Sequence, residues 1–160
     1  MSGLPIPPEP ITLTGGDGRR HRFRFAVSRL PLGGVLLELG EGEFGPGYNR
    51  STGYHFAVAG PADGSRFAEQ VQHVTDTARA ALAQRYLTDI DPGGPGRRTL
   101  LAGTQACGRL IWAGEAGAHD PYAVVIDGRP LSWEEFGAAL EPFEGYRFRL
   151  IVEEDLDDLA

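Results

Sequence analysis

Hydrophobic positions change their spacing several times along this chain, and each change marks an element. Residues 11–14 and 19–27 flank the turn Gly15-Gly16-Asp17-Gly18, the pattern of an N-terminal β-hairpin. Val35, Leu36, Leu37 and Leu39 form a short apolar run that suits a third strand. Gly40, Gly42, Gly45, Pro46, Gly47 and Gly53 put too many breakers in residues 40–53 for a regular element, so this is the longest loop. In residues 54–59, Tyr54, Phe56 and Val58 alternate with His55, Ala57 and Ala59, which predicts a fourth strand.

The period then lengthens to 3.6. Phe67, Val71, Val74, Ala78, Ala81, Leu82 and Tyr86 fall on one stripe of a long helix ending near Leu87, with Glu69, Gln70, Gln72, Asp76 and Arg79 off it. Asp63 and Ser65 both suit its N-cap. Asp91-Pro92-Gly93-Gly94-Pro95-Gly96 stops the pattern, and strands follow over 98–102, 106–113 and 122–127. Asp127-Gly128-Arg129-Pro130 reads as a turn. Ser132, with Glu135 three residues on, forms a capping box for a short helix over 133–140, and Glu144-Gly145 turns the chain into a last strand over 146–152.

The order β-β-β-β-α-β-β-β-α-β implies an α+β fold: a mainly antiparallel sheet with one long and one short helix packed on one face. The expected organisation is a proline-rich arm over 1–9, a single domain over 10–152 and an acidic tail over 153–160. Two segments, 21–27 and 146–152, share an alternation in which arginines 22 and 24, or 147 and 149, face away from Phe and its apolar neighbours.

Composition narrows the field. At 160 residues and 41% hydrophobic, the chain can bury a core. A single cysteine, Cys107, excludes an internal disulfide framework and multi-cysteine zinc sites. No apolar run reaches the roughly 20 residues of a membrane span, and residues 1–10 have no signal-peptide pattern, so a cytoplasmic location is expected. Net charge is −7, but five of the 22 acids stand in the last eight residues and the remainder is close to balanced. Such a body lacks the basic character of a duplex nucleic-acid binder. Every one of the 15 bases is arginine, which reads as coding bias before chemistry.

The run Val125-Ile126-Asp127-Gly128, Ser132-Trp133-Glu134-Glu135-Phe136-Gly137, Leu140, Phe143-Glu144-Gly145 and Phe148 resembles the C-terminal part of a family of bacterial domains with no assigned activity. The resemblance covers the last third of the chain, more loosely the upstream hairpin and helix, and carries no catalytic role to any residue.

Candidate chemistry is sparse. Cys107 lies in an alternating strand, where a lone cysteine is commonly a small buried hydrophobe. His21, His55, His73 and His119 show no metal-ligand spacing, and no G-x-S-x-G elbow or G-K-[ST] loop occurs. Glu134 and Glu135 occupy a first helical turn, where the dipole favours acids. No cofactor, metal or catalytic residue is expected. If the opening hairpin and the last strand pair, Arg22, Arg24, Arg147 and Arg149 share one sheet face, answered by an acidic partner or internally by Glu38, Glu9 or the tail. The sequence thus points to a non-enzymatic protein-interaction module using that face and the loop around Tyr48 and Tyr54. The alternative is a small-molecule or anion-binding domain, or a cryptic hydrolase, with a cleft near Cys107, His119 and Asp120. A homodimer through an exposed sheet edge is a third reading.

Overall fold

The computed structural model describes residues 3–42, 53–91, 93–112, 121–154 and 156–159. Strands β1 (Ile11–Thr14), β2 (Arg20–Arg29), β3 (Val35–Glu41) and β4 (His55–Gly60) precede α1 (Phe67–Ala83). Then come β5 (Leu87–Ile90), β6 (Arg98–Leu101), β7 (Gly108–Trp112), β8 (Tyr122–Ile126) and β9 (Arg129–Leu131). Helix α2 (Trp133–Ala139), a 3-10 turn (Glu141–Phe143) and β10 (Asp157–Asp158) complete the order. This is the α+β arrangement expected: strands, helix, strands, helix, strand. Where the periodicity suggested one domain over 10–152, the chain gathers into two compact units, Met1–Gln84 with Glu154–Ala160, and Arg85–Glu153.

The first unit is a five-stranded sheet of order β1-β2-β3-β4-β10, antiparallel except where β10 runs parallel to β4. Strand alternation and register sort its two faces. Phe25, Leu39 and Phe56 lie in one row, and Val27, Leu37 and Val58 in the next. These rows meet Val74, Ala78 and Leu82 of α1 in one buried cluster with Phe23 and Val35. Buried positions of α1 recur every four residues and include Gln70, which the apolar stripe omitted. Its side-chain NH2 donates to the carbonyls of Val35 (3.0 Å) and Val58 (3.1 Å), so an amide lies in the core without leaving its donors empty. The N-cap of α1 is Arg66, with no side-chain cap, rather than Asp63 or Ser65; Asp63 instead accepts from the Ser65 N–H at 2.9 Å.

Two boundaries differ from the sequence reading. Helix α1 ends at Ala83 because Gln84 turns extended, with φ −106° and ψ 144°, and Leu87 opens β5 instead of closing the helix. Tyr86 packs with the second unit's core and not on the α1 stripe. More consequentially, residues 146–152 form no strand. β3 flanks β2 along Phe23–Arg29 and β1 flanks it only along Arg20–Phe23, and residues 146–152 join neither ladder.

In the second unit, β5 pairs β6, and β7-β8-β9 form a separate antiparallel sheet. Asp127 and Gly128, at φ 52° and 69°, make the two-residue turn that closes β8 onto β9, so residues 129–131 are strand where a longer turn was expected. The capping box on α2 is as read: Ser132 Oγ accepts from Glu135 N–H (3.1 Å), and Glu135 accepts from Ser132 N–H (2.8 Å). Leu87, Val124, Ile126 and Leu131 form the core beneath Phe136 and Leu101.

Candidate functional site

Arginines 22 and 24 project from the sheet face opposite α1, as alternation requires, and both are exposed. Arg22 lies across from Thr12 of β1, Arg24 across from Gly40 of β3, and Gly40 across from His55 of β4. Arg147 and Arg149 stand in the irregular segment and extend no β2 ladder, so the four guanidinium groups do not share a sheet face by strand pairing. Glu38, expected to answer those arginines on the surface, is 3% exposed and shares a hydrogen bond of 3.1 Å with His55. Tyr54 is half-buried on the helix side, stacked on Phe56 and edge-on to His21. Tyr48, His119 and Asp120 lie outside the described residues.

Three histidines each sit against a carboxylate, an arrangement the sequence reading missed. His21 of β2 meets Glu41 of β3 at 2.7 Å, His55 of β4 meets Glu38 of β3 at 3.1 Å, and His73 of α1 meets Asp157 of β10 at 2.8 Å. Each contact joins two different elements of the first unit, so each acts as a clip between neighbours. Register is the missing signal: Glu38 and His55 become neighbours only once β3 and β4 are aligned with Gly40 opposite His55. His73 and Asp157 also line a shallow cleft with Phe56, Thr77, Glu154 and Leu156.

In the second unit Cys107 is exposed, one residue before β7, and not buried in a strand. Its hydrogen bond to Tyr86, ahead of burial, holds that phenol above the ordinary tyrosine value. Asp127 accepts from the N–H groups of Tyr86 (2.9 Å) and Leu87 (2.8 Å), so the acid of the I-D-G run fastens the start of β5. No cluster of three metal-ligating side chains occurs among the described residues.

What stands out chemically is residues 146–152. Exposure of their apolar members runs from 63% at Ile151 to 90% at Phe148, with Arg147 and Arg149 interleaved and exposed. After the Tyr146 N–H, which donates to Phe143 at 2.9 Å, neither backbone bond nor ion pair engages residues 147–153 among the described residues. On the same unit, Trp112 and Tyr122 form an exposed edge-to-face pair with centroids 5.2 Å apart, and Leu110 stands two residues from Trp112 on the same strand face. Exposed apolar side chains grouped in this way differ from the single ones scattered over an ordinary surface.

The molecule is thus an α+β protein of two compact units, one of which carries an exposed apolar and cationic segment. Residues 5–82 match a family model described as a domain of unknown function (DUF7686), and residues 91–157 match another described as a domain of unknown function (DUF7713). The gap between the matches brackets the division between the units at Gln84 and Arg85. The second match contains the whole I-D-G, S-W-E-E-F-G, F-E-G run. No curated protein and no solved structure gives a match. No helix among the described residues is long and apolar enough to cross a membrane.

Proposed function

We propose that this chain is a non-enzymatic protein-interaction module whose contact surface is centred on residues 146–152. The observation that carries this reading is the exposure of Phe148, Leu150, Ile151 and Val152 together, in a segment that no strand or helix among the described residues covers. Burying such side chains against a partner gains about 1.5–3 kcal/mol for each one fully covered. Arg147 and Arg149 between them add steering toward an acidic surface. Arg22 and Arg24, which have no ion-pair partner among the described residues, offer a second cationic strip on the first unit. A lone exposed thiol at Cys107 suits a reducing compartment, and the cytoplasm is the compartment proposed.

The test is a photo-crosslinking amino acid at Phe148 in the full chain, expressed in its native host. A discrete adduct that disappears when Leu150→Ser and Ile151→Ser are added is the expected result. Absence of any adduct at Phe148, Leu150 and Tyr146 in turn would reject the surface.

A further inference from the structure

We infer that residues 146–153 form a self-complementary strand through which two copies of the chain pair antiparallel about a two-fold axis at Ile151. This rests on the interaction reading above and names the partner.

Three observations converge on it. The segment has the aromatic and β-branched composition of a strand, Tyr-Arg-Phe-Arg-Leu-Ile-Val, yet it joins no ladder among the described residues. Its N–H and C=O groups from residue 147 on are uncommitted among the described residues, so a complete edge is on offer. The third observation is charge order. In an extended conformation Arg147, Arg149, Ile151 and Glu153 project to one side, and Tyr146, Phe148, Leu150 and Val152 to the other.

Direction and register follow from that order. Parallel, in-register pairing sets arginine on arginine and glutamate on glutamate, which destabilises. Antiparallel pairing about Ile151 sets Arg149 of each copy opposite Glu153 of the other, Leu150 opposite Val152, and Ile151 opposite itself. One face of the ribbon then carries two symmetry-related ion pairs flanking an isoleucine pair, and the other carries two Leu150–Val152 pairs, beyond which Phe148 falls opposite Glu154 of the other copy. An interface of this kind is isologous and closes at two copies. Because a two-stranded ribbon is marginal alone, the dimer is weak and concentration-dependent.

Charge reversal in the full chain tests this directly, with sedimentation velocity over a concentration series as the readout. The side chains involved are exposed, and far-UV circular dichroism checks that each variant keeps its fold. The unsubstituted chain shows a concentration-dependent dimer. Arg149→Glu and Glu153→Arg each weaken it by about tenfold, because each opposes like charges at both symmetry-related positions. The double variant R149E/E153R restores dimerisation, and so does an equal mixture of the two single variants, whose charges are complementary only across copies. A chain that stays monomeric, single variants that dimerise undiminished, or a mixture that stays monomeric would each overturn self-pairing. If the chain is monomeric yet the Phe148 adduct still forms with a different protein, self-pairing fails and the interaction reading stands; loss of both results removes both.

Discussion

Gly60 and Gln70 fill one another's space: a β-carbon on Gly60 would stand 2.5 Å from the Gln70 amide carbon. The end of β4 therefore passes the helix at backbone distance, and the fully buried amide bridges the Val35 and Val58 carbonyls in the room left by the absent side chain. Its own carbonyl oxygen is buried with no hydrogen-bond partner among the described residues, so two donated bonds are retained alongside one unanswered acceptor. Gly60→Ala should lower the unfolding free energy by about 1–3 kcal/mol through overpacking. Gln70→Ala should cost a similar amount, about 1–3 kcal/mol, by stranding two buried carbonyls. Urea denaturation of the double variant should show less than the sum, since removing Gln70 relieves the collision. Strict additivity would mean that the two residues do not compete for the same volume.

Asp127 combines a left-handed backbone with two accepted hydrogen bonds. Asp127→Gly keeps the turn and loses the bonds to Tyr86 and Leu87; Asp127→Ala loses both advantages. Alanine should therefore be the more destabilising, with glycine costing about 1–3 kcal/mol for the unpaired N–H groups. Equal midpoints for glycine and the native residue in thermal unfolding would show those bonds to be dispensable.

Asp89 is held below the ordinary aspartate value, first by the Thr99 hydroxyl (2.7 Å) and then by Arg129 (3.1 Å). A carboxyl with a lower value folded than unfolded stabilises the fold above its ordinary value of 3.8 and loses that contribution as pH falls through the depressed value. The stability gap between the native chain and Asp89→Asn should accordingly be level near neutrality and shrink below about pH 4. Denaturation midpoints that keep a constant gap across that range would refute the linkage. Because both side chains are partly exposed, the gap should also narrow with salt.

Cys107 should react with a thiol reagent in the native state at a rate close to that of the unfolded chain, since it is exposed. Removing it by Cys107→Ala should bring the Tyr86 phenol down toward the ordinary tyrosine value, because the contact with that sulfur is the main cause of its elevation. An ultraviolet titration with Tyr86→Phe as the reference separates this phenol from the other four among the five tyrosines. An unchanged titration in Cys107→Ala would mean that burial and the Asp127 charge, and not the sulfur, perturb Tyr86.

Periodicity carried the sequence reading where a residue's environment is set by its own segment. The first hairpin, the alternation of β4, the α1 stripe and the Ser132–Glu135 box all depend on neighbours within a few positions. It failed where the outcome belongs to another part of the chain. Gln70 is polar and falls off the apolar stripe, but the carbonyls that receive it come from β3 and β4. Glu38 reads as a surface counter-charge until register sets it diagonal to His55. Residues 146–152 have every local property of a strand, and alternation cannot tell whether a partner edge is vacant. The candidate contact segment was therefore visible as a pattern, while its exposure was not.

Strand β10 joins β4 through Asp157 and Asp158, and the Leu159 N–H reaches the Ala59 carbonyl at 3.0 Å. The first unit is consequently discontinuous, with residues 85–153 inserted between two stretches that share a single sheet. During synthesis, β1 to β4 and α1 emerge long before the strand that completes their edge. That border waits with its amides exposed while the whole insert is translated, and only the arrival of Leu159 seals it.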